Sequence, residues 1–117
     1  VDRIRGFLLA VAVCAVSGSL LVSCPFANAE GSPGATIFKN KCQLCHGADG
    51  TGNTTLGKQL QAANLRSKEV QKKTNAEIHK VIHDGNGNMP PFGEQLNDSE
   101  INQVIQFVRS LGKVAKK

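Results

Sequence analysis

The five residues Cys42-Gln43-Leu44-Cys45-His46 limit what this chain can become more than any other stretch of it. Two thiols three positions apart, followed at once by an imidazole, suit a zinc half-site, a redox dithiol or a covalent anchor for a porphyrin. The other two cysteines, Cys14 and Cys24, fall in a segment of a different character. Cys42 and Cys45 therefore form the only thiol pair outside that segment, and one vicinal pair cannot make the disulfide framework of a small exported domain.

The segment that sets Cys14 and Cys24 apart begins with Arg3 and Arg5 and continues through seventeen uncharged, mostly apolar residues, Gly6 to Val22. A short basic end, an apolar middle and small residues around Pro25 are the layout of a secretory signal. Ala27-Asn28-Ala29 fits cleavage after Ala29, so residues 1–29 are read as signal peptide and 30–117 as one mature domain. Leu21-Val22-Ser23-Cys24 resembles a lipoprotein box, the alternative that would anchor the chain at Cys24. An uncleaved membrane anchor is the third reading, at the short edge of what spans a bilayer. Either form of export predicts a periplasmic or otherwise extracytoplasmic protein.

Residues 30–117 number 88, with 12 Lys or Arg against 8 Asp or Glu. The excess is moderate, and with neither Trp nor Tyr in the chain the composition does not fit a nucleic-acid module. Ser32 and Pro33 open a helix expected over Gly34 to Cys45, with Phe38, Cys42 and Cys45 on one side. The run "HGADGTGNTTLGK" that follows reads as a loop. Thr74 to Glu77 is a capping box for a second helix, with Ile78, Val81 and Ile82 as its stripe and Gly85 as its end. "GNGNMPPFGEQL" is another loop and holds Met89, the only methionine. In the last helix Asn97 caps, Glu100 answers it, and Ile101, Val104, Ile105, Val108 and Leu111 recur at helical spacing until Gly112. No strand pattern is present, so the fold class is all-α with long ordered loops. A domain this small with loops of this length calls for a staple, a metal or a large cofactor.

Zinc would need a fourth ligand from His79 or His83 and an awkward pair of adjacent ligands in Cys45 and His46. A thioredoxin-like dithiol would need a strand and a βαβ setting. A covalent haem uses every residue: both thiols reach the vinyl groups of one porphyrin edge, and His46 then stands beneath the iron. Met89, 43 residues beyond His46 and followed by Pro90-Pro91, offers a soft thioether to the opposite face. The competing role for Met89 is gap filling in the core. His79 and His83 sit beside their helix's apolar stripe and read as surface histidines.

The Phe38 helix ahead of "CQLCHGADGTG", the "GNGNMPPF" loop and the closing "LNDSEINQVIQFVRSLGK" together resemble a small monohaem class I c-type cytochrome of the soluble bacterial or photosynthetic type. The resemblance covers about residues 33–113. It implies helices and ordered loops wrapped round one covalently bound haem c, with first and last helices crossing at residues such as Phe38 and Phe107. It also implies Cys42 and Cys45 as thioether positions, His46 as proximal and Met89 as distal iron ligand. One departure stands out: members commonly carry a loop proline whose carbonyl orients the proximal imidazole, and this chain has no proline between Pro33 and Pro90. Another backbone carbonyl has to fill that role, and the sequence leaves open which one, with Thr54 and Thr55 as candidates for its neighbourhood.

The expected function is an electron carrier between redox proteins, with no enzyme activity of its own. The alternatives are a ligand-binding haem sensor or enzyme, or an accessory electron-transfer subunit of a larger oxidoreductase. Lys39 and Lys41 flank the expected electron exit, and Lys58, Arg66, Lys68, Lys72 and Lys73 would either extend a basic surface toward acidic partners or form a merely solvated face. Membrane contact is expected only through a lipid on Cys24 or a membrane-bound partner.

Overall fold

The structure is a computed structural model and describes residues 31–114. The signal segment, its cleavage site and Cys24 lie outside the described residues. Within the described residues six helices follow in order: α1 Pro33–Lys41, α2 Gln43–His46, α3 Thr55–Leu60, α4 Lys68–Lys72, α5 Asn75–Asp84 and α6 Asp98–Val114. Among the described residues there is no strand, only an isolated antiparallel bridge between Asn86 and Met89.

Ser32 caps α1 by accepting from the Ala35 amide at 3.2 Å, and Pro33 takes the first turn, where an N–H would go unused. The helix expected as far as Cys45 instead breaks at Cys42, whose φ of −116° departs from helical geometry. The amides of Cys45 and His46 both return to the Cys42 carbonyl, so the chain resumes at once as α2. Gly47, at φ +79°, then ends α2.

Two of the six helices, α3 and α4, are not expected from the sequence pattern. The glycine-rich loop gives way to α3 at Thr55, and α4 follows eight residues after α3 ends. Helices of six and five residues are too short to form on their own propensity and exist here through capping and packing. Thr54 and Ser67 cap them through Oγ. The capping box of α5 forms in both directions, as does the reciprocal Asn97 and Glu100 pair at the start of α6. Gly112 does not stop α6, which continues to Val114. Gly112 instead allows close approach, because a Cβ there would strike the Gln71 side chain of α4.

The core forms where α6 meets α1 and α5: Phe38, Ile78, Ile82, Leu96, Ile101, Val104, Ile105 and Val108. Phe38 and Phe107 cross as expected, with ring centroids 4.9 Å apart and planes at 51°. Arg109 fastens the remaining element by donating to the carbonyls of Gln71 and Lys73 and to Asn75 Oδ1. These bonds satisfy carbonyls left over at the end of α4.

The α1–α6 crossing depends on Gly34, where a Cβ would collide with the Gln103 carbonyl of α6. Helix propensity alone favours alanine there by about 1 kcal/mol, but forcing a group into a closed contact costs about 1–3 kcal/mol. The obstacle is backbone, which cannot rotate away, so the upper part of that range applies. Gly34→Ala is expected to destabilise the chain by about 2 kcal/mol in urea unfolding. A gain in stability would show that α6 can shift away from α1.

Candidate functional site

Beside the core lies a cleft of about 480 Å³, within the range of small-molecule and cofactor sites. Cys42, Cys45, His46 and Met89 all line it. The four residues singled out from the sequence are therefore brought to one place. Leu44, Leu60, Ala62, Ala63, Val81, Pro90 and Phe92 make the lining mostly apolar, and among the described residues Lys41 is the only lysine or arginine that lines it. Val81 explains the divided stripe of α5: Ile78 and Ile82 enter the core, while Val81 turns to the cleft.

His46 is buried, at 8 % exposure. Its Nδ1 lies 2.9 Å from the carbonyl oxygen of Ala63. A carbonyl only accepts, so Nδ1 carries the proton and Nε2 is left with its lone pair, the tautomer that a metal ligand requires. The orienting carbonyl left open by the sequence is thus that of Ala63, not one at Thr54 or Thr55. Thr54 serves elsewhere, since its hydroxyl caps α3 and contacts the carbonyls of Leu44 and Cys45, which ties α3 to α2. Gly57 completes that junction, because a Cβ there would strike the Cys45 carbonyl. No side-chain chemistry marks Ala63 in the sequence, because the working group is backbone.

Cys42 and Cys45 are free thiols and half-buried. Burial, with a smaller contribution from Cys45, pushes the Cys42 thiol up to about 11. Before any covalent attachment Cys42 is therefore a neutral thiol at physiological pH.

Met89 is held by its backbone. Its amide and carbonyl exchange hydrogen bonds with Asn86 at 2.9 and 3.0 Å. Gly85, at φ +78°, makes the turn beneath, where a Cβ would come within 2.7 Å of the Met89 carbonyl oxygen. Beyond the two prolines, Phe92 and Gly93 donate to the carbonyls of Ile82 and His83 at the end of α5. His79 and His83 do not line the cleft. His79 Nε2 pairs with Asp98 at 3.1 Å, and His83 Nδ1 with Asp84 at 2.7 Å. Asp84 is held down to about 2 by hydrogen bonds from Lys80 and then His83. Among the described residues no group of three or more His, Cys, Asp or Glu is placed to hold a metal ion by itself.

These residues fit a haem on three counts: an apolar cleft of suitable size, an imidazole fixed in the ligating tautomer, and two free thiols on the same wall as that imidazole. Ala63 itself yields a test. Its amide donates to no other backbone group and its φ is not positive, so a proline there would remove no backbone bond and would keep the carbonyl. Ala63→Pro is expected to stabilise the chain by about 0.4–1 kcal/mol in urea unfolding by restricting the unfolded state. A loss of stability would show that this backbone does not accept the ring.

Residues 29–108 match the family described as cytochrome c oxidase, cbb3-type, subunit III. The chain is 28 % identical over 106 residues to cytochrome c6 of Picosynechococcus sp., covering 86 % of this chain and 90 % of that one. It is 34 % identical over 104 residues to cytochrome c6 of Thermosynechococcus vestitus, covering 84 % and 87 %. To the cbb3-type cytochrome c oxidase subunit CcoP of Cereibacter sphaeroides it is 33 % identical over 79 residues, 68 % of this chain but only 27 % of that subunit. Among solved structures it is similar to the KustC0563 c-type cytochrome, with a TM-score of 0.62 and 32 % identity over 67 % of this chain and 95 % of that one.

Proposed function

The chain belongs to the class I c-type cytochromes, electron-transfer proteins with covalently bound haem c, and we propose that it is an extracytoplasmic carrier of single electrons between redox proteins. In this reading Cys42 and Cys45 hold one haem through thioethers, His46 is its proximal ligand and Met89 its distal ligand. The observation that carries the reading is the convergence of these four side chains on one apolar cleft, with His46 Nε2 left available by the bond to Ala63. The bound group supplies the one-electron change between ferrous and ferric iron.

The chain's own part is to orient, exclude water and set the potential. The Ala63 carbonyl holds the His46 ring and raises its basicity as a ligand. Leu60, Val81 and Phe92 exclude water from the cleft, which limits solvent rearrangement when charge changes. The Met89 thioether favours the ferrous state and raises the potential relative to a second histidine. With His46 and Met89 both holding the iron, no position would be left on it for a substrate, so the chain is read as a carrier and not an enzyme. Residues 1–29 fit this reading as an export signal, with lipidation at Cys24 as the alternative.

Similarity to part of the CcoP subunit supports a second reading, an electron-transfer module working with a larger oxidoreductase. The site chemistry is the same in both, and co-purification with a partner separates them.

The reduced-minus-oxidised visible spectrum of haem-loaded protein tests the ligand set. A c-type spectrum with a weak sulfur-to-iron band at the red edge is expected, and Met89→Ala is expected to abolish the band and lower the potential. Covalent haem without that band in the parent protein would favour ligand binding or bis-histidine iron. No haem at all would overturn the reading.

The geometry also narrows the docking surface. Leu44, 72 % exposed, stands on the cleft's rim beside Lys41. Helix α4 is tied to α6 by the bond from Gln71 to the Val108 carbonyl, and neither of its lysines lines the cleft. Electron exit is therefore proposed through an apolar rim with Lys41 as its nearest cation. Oxidation by ferricyanide, an anion, is expected to slow about threefold or more at low salt in Lys41→Glu and to change by less than about twofold in Lys72→Glu. The reverse order would move the exit toward α4.

A further inference from the structure

We propose that Asn88 is a positioning residue that latches the Met89 loop closed against the opposite wall of the cleft. The proposal rests on the reading of Met89 as the distal ligand. Asn88 Nδ2 donates to the Leu60 carbonyl at 3.1 Å, across 28 positions of sequence. Leu60 is the last residue of α3, where carbonyls have no partner within the helix, so Asn88 supplies the missing donor.

The bond joins two walls of one cleft: residues 60–63 on one side, residues 86–90 on the other. The other hydrogen bonds of the Met89 turn return to the turn itself, and those just beyond it return to α5. Among the described residues, Asn88 to Leu60 is the only hydrogen bond from residues 85–91 to the opposite wall. Three residues beyond Leu60, the Ala63 carbonyl accepts from His46. One short segment thus supports the proximal imidazole at one end and the distal loop at the other.

That segment is stiff enough to act as a strap. Gln61 adopts the left-handed conformation, φ +55°, and its amide closes back onto α3. The Ala62 amide donates to the Gly57 carbonyl at 2.8 Å, and Gly57 is itself packed on the Cys45 backbone. A displacement of the distal loop must therefore break the Asn88 bond or drag a segment anchored beneath His46. Asn88 is exposed, so water competes for the bond and its effect is one of rate and local opening, not of folding.

The test uses the full haem-loaded chain in its ferric form. Imidazole competes for the iron on the Met89 side, and its limiting binding rate at high concentration reports how fast that side opens. Asn88→Ala removes the donor, and Asn88→Asp keeps the shape while setting an acceptor against the Leu60 carbonyl. Both are expected to raise the limiting rate roughly two- to fivefold. They should keep the sulfur-to-iron band at neutral pH and leave the urea midpoint nearly unchanged. Faster hydrogen exchange at the Met89 amide is the independent sign of the same opening. An unchanged limiting rate in a protein that has the band would overturn the latch alone, as would a rate that rises only in step with global unfolding. Absence of the band in the parent protein would overturn the role of Met89 and the latch with it.

Discussion

The hydrogen bond from His46 Nδ1 to the Ala63 carbonyl is the point on which the rest of this structure turns. It assigns the proton of a buried imidazole, and so decides which ring nitrogen faces the cleft. To place that carbonyl, the chain after His46 must turn through Gly47, Gly50 and Gly52, all at positive φ, and return by way of α3. The amides of Gly52 and Leu65 close this excursion onto the carbonyls of His46 and Gly50. The glycine-rich run is thus a fitted return path, and its glycines supply backbone angles that other residues rarely adopt.

The opposite side of the cleft is built by a different device. Met89 lies between Gly85 and two prolines, and its turn is closed by paired hydrogen bonds with Asn86. Pro90 and Pro91 have no N–H to satisfy, so the next donors, Phe92 and Gly93, finish the carbonyls at the end of α5. Helix α5 therefore serves two surfaces. Ile78 and Ile82 bind it to the core with α6, and Val81 faces the cleft. Stability of the core and position of the Met89 loop are linked through this one element.

Much of this is legible in the sequence because its signals are local. The capping box at Thr74, the Asn97 and Glu100 pair and the stripe of α6 act over three to seven residues, and each stands where the pattern puts it. The Phe38 and Phe107 contact follows from the family resemblance. Other elements are hidden for physical reasons. Helices α3 and α4 are too short to carry a period. Gly112 reads as a stop because Gly commonly follows a helix, yet its purpose is to admit Gln71. The break at Cys42 has no breaker residue to announce it.

What the sequence by itself determined is the chemistry: two thiols and an imidazole at a fixed spacing, one thioether in a stiffened loop, and three amphipathic helices, because each depends on residue type and on neighbours within a few positions. What only the tertiary structure decided is which groups without a chemical signature hold that chemistry in place. The Ala63 carbonyl, the Leu60 carbonyl that receives Asn88, and the Gly34 backbone against Gln103 act through position alone. Every residue has a carbonyl, so no residue name can mark the one that meets a histidine seventeen positions away. That choice belongs to the path of the whole chain around the cleft.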